Sequence, residues 1–580
     1  MKFLTNFLSL LTKKEKIYFF LLVLSSVANT FLELLSIGLV IPLIGMIIDP
    51  EALIFKLNEY FPSLNFYNYT TQLDLNNYIV YFLIIFLLIY LIKNLFIFIF
   101  FYYQNKFVQH IEENFSKKIL KKYLFQNFSF FLENNSSDLT AKLSVDLITF
   151  ARGFVGPLIT FASEIMIVIG ICSIIYFFGL LKVGLIFLFF FVIAAFFLKI
   201  IGSYSKNWGR ERKQFDSTKL DILKNTFMNI KSIILDNKQF TKINQFQDIS
   251  KKLAILQRKI ITLNIVPKIS FEIFGIFSIV IVLYFLIENN HSKTYIITTI
   301  GFLVAVAYRV IPSFQRLIFC YQQISYSKVV LKNLKLDLNL PNQINDTKEK
   351  INFKNTVKLS NVSFYYNTKN KIILDNLNLE IVSGKMTGIY GESGAGKSTL
   401  VDLISGLNKP KIGELLIDNI KIDTPKLLRM WQNEIAYVTQ NTALFNGSLK
   451  ENIIFSDIYE KYDPELLNLV INKSQLTKFI STLPSGIETD VGELGNKLSG
   501  GQKQRIGIAR ALYKKPKFII FDEATNALDY ESEKKILNTI YDLRKNKTIV
   551  IISHKKDIIN LCDKILEIKN SKITEREKIN

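Results

Sequence analysis

Nine residues in the second half of the chain, "GESGAGKST" at 391–399, have the glycine spacing of a loop that binds phosphate groups. They follow the apolar run "KMTGIY", a predicted buried strand, and precede a predicted helix with a positive N-terminal end. We expect Lys397 to reach the β- and γ-phosphates of a nucleotide and the Ser398 hydroxyl to bind Mg²⁺. The predicted nucleotide-binding residues are Gly391, Glu392, Ser393, Gly394, Ala395, Gly396, Lys397, Ser398 and Thr399.

Two adjacent acids end a second apolar run, "FIIFDE". We expect Asp522 to hold magnesium through water and Glu523 to orient the attacking water molecule as a general base. The alternative is that both are ordinary surface acids at the end of a strand. Because a phosphate-binding loop is present in the same chain, nucleotide hydrolysis is the favoured interpretation.

A third motif, "LSGGQKQR" at 498–505, places Ser499, Gly500, Gly501 and Gln502 at the start of a predicted helix. The N-terminus of this helix would be a second anion-binding site, distinct from the phosphate-binding loop. One chain does not need two such ends for a single nucleotide. Two chains facing head-to-tail would each complete the other's pocket, so the motif predicts a homodimer.

These motifs, in this order, resemble the nucleotide-binding domain of ATP-binding cassette (ABC) transporters, over residues 355–580. The resemblance implies ATP and Mg²⁺ as cofactors. It also implies that Tyr366 stacks on adenine, that Gln440 senses the metal and the γ-phosphate, and that His554 contacts the γ-phosphate. By the same resemblance Asp529 bridges two subunits. For Gln440 and His554 taken alone, a polar residue at a strand end remains the alternative.

The first 320 residues carry six long apolar segments, each close to or beyond the roughly 20 residues that cross a bilayer. Three scattered cysteines and three histidines show neither disulfide nor zinc spacing. The sequence therefore predicts a membrane domain without a structural metal. The predicted spans are about 17–48, 78–103, 155–178, 183–201, 264–287 and 295–320.

The net charge of +22 is concentrated between the apolar segments. An anionic membrane surface accounts for these lysines better than nucleic acid does, so no nucleic-acid partner is expected. Connections 104–152 and 202–263 are rich in Lys and Arg, whereas the alternate connections carry few. The positive-inside rule then places both termini and both long connections in the cytoplasm.

Six spans followed by one cassette resemble an ABC exporter half-transporter that works as a homodimer. The fold class expected is an α-helical six-span transmembrane domain of the ABC exporter type joined to a cytosolic α/β P-loop ATPase domain. We assign residues 1–325 to the membrane domain, 326–354 to a linker and 355–580 to the ATPase domain.

Four cations lie inside predicted spans: Lys93, Lys268, Arg309 and Arg316. Each costs several kcal/mol to insert, roughly 2.5–3.5 on insertion scales, and such residues normally face a cavity. The two arginines are seven residues apart, about 10 Å along the helix and on one stripe. Neither has an acidic neighbour on its own helix, so we interpret the arginine pair as a cationic stripe in a central cavity that binds an anionic substrate head group.

The alternative is that these cations pair with the three acids in the spans, Glu33, Glu164 and Glu272. This interpretation suits Lys268 in particular, because Glu272 is four residues further along the same helix. Arginine nevertheless matches the geometry of phosphate groups, which favours a phosphate or diphosphate ligand for the arginine pair.

Residues near 51–62 have apolar side chains on one face and predict an amphipathic helix at the outer membrane surface. The alternative is an ordinary external loop. The membrane cations, this helix and the six-span cassette layout together resemble PglK-type flippases of lipid-linked oligosaccharides. The resemblance implies that Lys93, Lys268, Arg309 and Arg316 form a basic belt that attracts a polyprenyl-diphosphate group, and that the external helix meets the polyprenyl tail.

The function expected from this resemblance is ATP-driven flipping of a polyprenyl-diphosphate-linked oligosaccharide across the bacterial inner membrane, in support of protein glycosylation. The alternative is an exporter of another lipid, a peptide or a hydrophobic drug. A third possibility is an ABC ATPase used in regulation or repair, and the six predicted spans argue against it.

Overall fold

The computed structural model describes residues 2–40, 42–43, 75–177, 181–289, 293–343, 347–365, 372–455, 461–526 and 528–576. The chain divides into two compact units. The first contains Met1–Tyr123 and Asn135–Leu340, and the second contains Leu124–Asn134 and Pro341–Asn580. The amphipathic helix expected near 51–62 lies outside the described residues.

The elements that the structure describes in the first unit are all helices. Thr12 and Glu15 form a capping box at the start of its second helix, where the Thr12 N–H donates to the Glu15 carboxylate at 2.7 Å. The helices of the chain up to residue 340 are α1 (Lys2–Leu10), α2 (Lys13–Gly38), α3 (Leu75–Leu124), α4 (Phe128–Glu133), α5 (Ser136–Ala141), α6 (Leu147–Phe150), α7 (Gly156–Phe177), α8 (Leu181–Met228), α9 (Ile230–Leu235), α10 (Gln239–Glu288) and α11 (Lys293–Leu338).

Within the described residues, five helices are long and apolar enough to cross a membrane. Each of them overlaps one of five predicted spans, although the span predicted at 17–48 extends past the end of α2 at Gly38. The remaining span, at 183–201, lies within the continuous helix α8. Helices α3 and α10 each have 50 residues, about 75 Å at 1.5 Å per residue. A bilayer core of about 30 Å covers less than half of that length, so these helices extend well beyond the membrane.

The stretch expected to be a linker, residues 326–354, begins as helix, because α11 runs on to Leu338. Val330, Leu331 and Leu334 recur at helical spacing in this part and are all buried. The helical membrane unit therefore extends further along the chain than the apolar span itself.

The second unit contains two sheets. One is antiparallel, with strand order β2-β1-β4-β5, and the other has the order β10-β9-β3-β8-β7-β6 and is parallel except for β10. The strands are β1 (Thr356–Tyr365), β2 (Ile372–Val382), β3 (Met386–Gly391), β4 (Ile412–Ile417), β5 (Ile420–Lys421), β6 (Ile435–Val438), β7 (Phe518–Asp522), β8 (Thr548–Ile552), β9 (Lys564–Lys569) and β10 (Lys572–Arg576).

The described helices of this unit after Pro341 are α12 (Lys397–Ile404), α13 (Pro425–Glu434), α14 (Leu449–Ile454), α15 (Pro464–Lys473), α16 (Thr477–Ser481), α17 (Gly500–Tyr513), α18 (Tyr530–Leu543) and α19 (Lys556–Ile559). Helices α12 and α19 contact β3 of the larger sheet, and α13 and α17 contact β6. Strands β7 and β8 are almost wholly buried, as continuous apolar runs covered on both faces should be. A helical membrane domain plus an α/β ATPase domain is the fold class that the sequence predicted.

Parallel strands of this sheet end at one edge, where ligands bind in open α/β folds. Strand β3 ends at Gly391, β7 at Asp522, β8 at Ile552 and β6 at Val438. Each of these ends leads into one of the motifs predicted to bind or hydrolyse nucleotide.

Candidate functional site

The loop between β3 and α12 has the backbone that phosphate binding requires. Gly394 and Gly396 have φ values of 82° and 103°, in the left-handed region that glycine adopts without strain. A Cβ on Gly391 would lie 2.7 Å from the carbonyl oxygen of Ile568, so a larger residue would push apart β3 and β9. Helix α12 begins at Lys397 and aims its N-terminal end at this loop.

Lys397 lies inside the loop. Its Nζ donates to the carbonyl oxygens of Gly391 at 2.8 Å and Glu392 at 2.9 Å, and it is 3.2 Å from Nε2 of His554. Burial lowers the pKa of this lysine, while the charges of Glu523 and Asp522 oppose that shift. The ammonium group is therefore held at the position from which it can turn to a phosphate.

The three residues predicted to be catalytic meet at one carboxylate. Gln440 Nε2 donates to Glu523 Oε2 at 2.7 Å, and His554 Nε2 is 3.0 Å from Glu523 Oε1. Asn526 Nδ2 donates to the same Oε2 at 2.8 Å. Glu523 itself has a positive φ of 49°, which is uncommon for a residue with a side chain and typical of functional sites. The predicted general base, Glu523, is thus held by three polar side chains.

Asp522 is positioned by a residue that the motif analysis did not identify. The Tyr437 hydroxyl on β6 donates to Asp522 Oδ2 at 2.9 Å. Burial raises the pKa of Asp522, the Tyr437 hydrogen bond opposes that shift, and the Glu523 charge adds to it. The sequence gives one indication of this role, because Tyr437 places a hydroxyl group on β6, the strand that pairs with β7.

The residues predicted to hold Mg²⁺ offer the oxygen ligands this ion prefers: the Ser398 hydroxyl, the Asp522 carboxylate and the Gln440 amide oxygen. Ser398 is exposed in the first turn of α12. The charge of Glu523 makes ionisation of the neighbouring Asp522 carboxyl less favourable, and a bound cation would offset this repulsion. The donor set therefore fits magnesium, and the ion would supply charge neutralisation for the phosphates.

The "LSGGQ" motif forms the start of α17, as predicted. The Ser499 hydroxyl accepts from the Gln502 N–H at 3.3 Å, and the Gln502 side chain accepts from the Ser499 N–H at 2.8 Å, a capping box. Within the described residues no hydrogen bond joins 499–502 to 391–399. Gly500 and Ser499 are exposed, so this helix start is available to a second molecule.

Asp529 and Tyr366 are two further residues predicted to bind nucleotide, and the structure describes only the first of them. Asp529 caps α18, where its side chain accepts from the Ser532 N–H at 3.0 Å, and this backbone hydrogen bond lowers its pKa. Its predicted role between subunits remains a prediction. Tyr366, predicted to stack on adenine, lies outside the described residues.

The expectation that the two arginines of α11 have no acidic partner is wrong. Arg309 Nε donates to Glu33 Oε2 at 3.0 Å, and Arg316 Nε lies 2.7 Å from Glu164 Oε1. Both acids lie on other helices, α2 and α7. The N–H bond of Arg316 is not aligned with the carboxylate, so that contact is an ion pair without a hydrogen bond.

The other two cations of the expected belt are paired as well. Lys93 Nζ is 3.8 Å from Glu33 Oε2 and 4.1 Å from the centre of the Tyr90 ring. Lys268 Nζ is 4.0 Å from Glu272 Oε1, one helical turn along α10, as the pairing alternative anticipated. This last pair is about half exposed and separate from the others.

Five of these residues form one cluster, which we call the charge cluster: Glu33, Lys93, Glu164, Arg309 and Arg316. Arg309 reaches both acids, because its guanidinium is also 4.0 Å from Glu164. The cluster joins α2, α3, α7 and α11 and contains three cations and two carboxylates, a net charge of +1 (3 − 2). Arg316 is the accessible member, with 42% of its side chain exposed.

Comparison with known proteins agrees with these features. Residues 16–309, just over half of the chain, match the ABC transporter transmembrane region, and residues 374–526 match the ABC transporter ATPase family. The chain belongs to the ABC transporter family. It is an exporter half-transporter, with one membrane domain fused to one nucleotide-binding domain, and it couples ATP hydrolysis to transport.

Individual relatives agree on the layout. The transporter is 28% identical to an ATP-dependent lipid A-core flippase of Haemophilus influenzae over 469 residues, which cover 79% of this chain and 78% of the relative. It is 40% identical to the alpha-hemolysin translocation ATP-binding protein HlyB of Escherichia coli over 228 residues, 38% of this chain and 31% of that one.

A solved structure shows the same fold. A bacterial Atm1-family ABC exporter with ATP bound superimposes with a TM-score of 0.78 at 20% identity, covering 97% of this chain and 94% of that one. Half-transporters of this family function as dimers, in agreement with the exposed start of α17.

Proposed function

We propose that the transporter uses ATP to flip a lipid with an anionic head group across the bacterial inner membrane, working as a homodimer with both termini in the cytoplasm. The most specific candidate for the cargo is a polyprenyl-diphosphate-linked oligosaccharide, used in protein glycosylation. The observation that carries the anionic head group is the unequal composition of the charge cluster.

Because the arginines are paired with acids, less positive charge is available to bind a head group than an unpaired basic belt would offer. Two carboxylates neutralise two of three cations, so the charge cluster offers one excess positive charge. Glu164 Oε2 is buried and has no hydrogen-bond donor among the described residues. A cluster with an excess cation and an unsatisfied oxygen can exchange partners with a polar head group at smaller cost than a fully satisfied one.

The relatives support a lipid cargo. The match to a flippase named for lipid A-core extends over most of both chains, membrane domain included. The match to a protein named for hemolysin translocation covers 38% of this chain, about the length of one ATPase domain. Because cargo is recognised in the membrane domain, the first match bears more directly on cargo than the second.

In the proposed cycle, each step belongs to residues described above. Lys397 and the loop at 391–399 hold the phosphates, while Ser499, Gly500 and Gly501 of the partner close the pocket. Glu523, held by Gln440 and His554, removes a proton from the attacking water. Closing and reopening of the two ATPase domains shifts the membrane domains between cavities open to either side.

A second candidate function, export of another lipid or of a hydrophobic compound with little charge, is favoured by the same ion pairs. If the carboxylates remain bound to the arginines throughout the cycle, the excess charge is too small to select a diphosphate. The two candidates differ in whether cargo contacts Arg309 and Arg316.

Reconstitution in proteoliposomes tests the proposal. A fluorescent polyprenyl-diphosphate oligosaccharide is placed in both leaflets, and its accessibility to a membrane-impermeant quencher is followed before and after ATP addition. A fluorescent lipid of the same chain length with an uncharged head group is the matched control cargo. Faster ATP-dependent movement of the diphosphate supports the proposal, and equal movement of both lipids favours the second candidate.

A further inference from the structure

Beyond the charge cluster, the first unit has a cleft lined by five basic residues and no acid. It lies between the cytosolic parts of α8 and α11, beside α1, and has a volume of about 530 Å³. We call it the basic cleft. Its polar lining residues are Asn6, Lys206, Arg210, Lys328, Lys332, Asn333 and Lys335.

Two helices supply these cations, and each helix carries its own row of them. Lys206 and Arg210 are one turn apart on α8, and Lys328, Lys332 and Lys335 recur at helical spacing on α11. Gly209, between the first two, lets the helices approach closely: a Cβ there would lie 2.7 Å from the carbonyl oxygen of Tyr326. The close approach fixes both rows of cations on opposite walls of one cleft.

The acids of the same two helices form no salt bridge with a lining residue of the basic cleft among the described residues. Asp216 pairs with Arg212 at 3.3 Å, and Asp337 pairs with Lys142 at 3.4 Å. Glu211 and Asp221 of α8 form no salt bridge within the described residues. Within the same residues Lys206, Arg210 and Lys332 form no salt bridge, and all three are exposed. These three cations therefore keep their positive charge.

The membrane-facing end of the basic cleft, at Lys206 and Lys328, lies close to the inner head-group layer, and its far end, at Lys335, lies about 22 Å beyond Cys320. Lys206 follows the apolar part of α8 by five residues, about 8 Å, and Lys328 follows Cys320 on α11 by eight, about 12 Å. The head-group region of a bilayer extends roughly 5–8 Å beyond the hydrocarbon, and lysine side chains reach back toward it. Basic pockets between helices at this level bind lipids with several phosphate groups.

We infer that the basic cleft is a binding site for an inner-leaflet phospholipid that carries more than one phosphate, the chemistry of cardiolipin. Two phosphates match two rows of cations, and the lysine stems and Val329 offer apolar contact for the glycerol backbone. The site is separate from the charge cluster, and it does not depend on the cargo proposed above.

Native mass spectrometry of the full-length protein in detergent tests this inference, with cardiolipin, phosphatidylglycerol and phosphatidylcholine as added lipids. Lys206→Gln/Arg210→Gln/Lys332→Gln removes three cleft cations. The matched control is Lys251→Gln/Arg258→Gln/Lys259→Gln on α10, three exposed cations without a salt bridge among the described residues. Lys259 is five residues from its predicted span, as Lys206 is from its own.

Each surface cation near an anionic lipid strengthens binding about fivefold, so the cleft variant should lose cardiolipin affinity about a hundredfold. The control variant should lose less than threefold. In the wild type, cardiolipin should bind more tightly than phosphatidylglycerol. Should the triple variant fail to fold, as judged by its basal ATP hydrolysis, Lys206→Gln and Lys332→Gln alone should each weaken binding about fivefold.

Three results would overturn the assignment. Equal losses in the cleft and control variants would show that cardiolipin responds to general surface charge. No preference for cardiolipin over phosphatidylglycerol would remove the two-phosphate argument. Displacement of cardiolipin by inorganic pyrophosphate at matched phosphate concentration would show a site for free anions and not for a lipid.

Discussion

Replacing Glu33 by glutamine should destabilise the membrane domain more than replacing Arg309 by glutamine, although the two residues form one ion pair. The reason is the count of charges in the cluster. Without Glu33, three cations share the single carboxylate of Glu164. Without Arg309, Glu33 keeps Lys93 and Glu164 keeps Arg316, so each acid retains one cation.

The expected magnitudes follow from burial. The Glu33 and Arg309 side chains are 7% and 14% exposed, and removing one partner of such a buried pair costs about 3–5 kcal/mol. We expect Glu33→Gln to lie in this range. Because Arg309→Gln leaves a balanced cluster, it should cost about 1 kcal/mol, typical of a single substitution.

The assay is the midpoint of thermal unfolding of the full-length protein in one detergent. Midpoints are compared because a two-domain protein does not unfold in one step. Glu272→Gln is the matched control: it breaks the half-exposed pair with Lys268 and should change stability by less than about 1 kcal/mol. The double variant Glu33→Gln/Arg309→Gln should recover part of the loss caused by Glu33→Gln. A larger loss for Arg309→Gln than for Glu33→Gln would refute this account of the cluster.

Three predictions concern the ATPase domain. Glu523→Gln should lower ATP hydrolysis at least a hundredfold while nucleotide binding persists, since general-base catalysis contributes about 10²–10⁴; unchanged turnover would exclude Glu523 as the base. Tyr437→Phe removes a hydrogen bond to the Asp522 carboxylate, worth about 1.5–3 kcal/mol, so hydrolysis should require roughly tenfold more free Mg²⁺, and an unaltered Mg²⁺ titration would contradict this. Burial, together with the Asp522 charge, raises the pKa of Asp402 to about 7, so its folded form loses stability as pH rises from about 4 through 7. Asp402→Asn without nucleotide should therefore stabilise the domain at pH 8 by up to about 4 kcal/mol, seen as a higher unfolding midpoint, and by much less at pH 4.5; equal gains at both pH values would argue against the shift.

The ATPase site could be predicted from sequence because its residues belong to short local motifs. Lys397 and the glycines before it are specified by one loop, and Ser499 and Gln502 form their capping box within four residues. The strand that ends at Asp522, directly before Glu523, is a continuous apolar run up to that residue. The contact of Tyr437 with Asp522 joins residues 85 positions apart, and no local pattern indicates it.

The charge cluster could not be predicted for the same physical reason. Glu33 and Arg309 are 276 residues apart, so their contact depends on how α2 packs against α11. A helix sequence shows that a cation is costly in the membrane, but not which helix supplies its partner. Lys268 and Glu272, one turn apart on a single helix, were the pair that spacing could indicate.

The first part of the predicted linker, residues 326–338, is helical in the structure, and polarity alone did not indicate this. Residues 326–338 carry several lysines, yet their apolar positions recur at helical spacing and bury Val330, Leu331 and Leu334. The same lysines line one wall of the basic cleft. The charged residues of this stretch therefore lie on a helix and not in a flexible connection.

The cargo of the transporter is tested most directly by flipping in proteoliposomes with the Arg309→Gln/Arg316→Gln variant. Removing both arginines turns the net charge of the cluster from +1 to −1. Because the double variant leaves Glu164 without a cation and lowers stability, both lipids are compared in the same variant. We expect the ratio of ATP-driven movement of a polyprenyl-diphosphate oligosaccharide to that of the uncharged control lipid to fall at least tenfold. Unchanged movement of the diphosphate lipid would contradict the central claim that this cluster recognises an anionic head group.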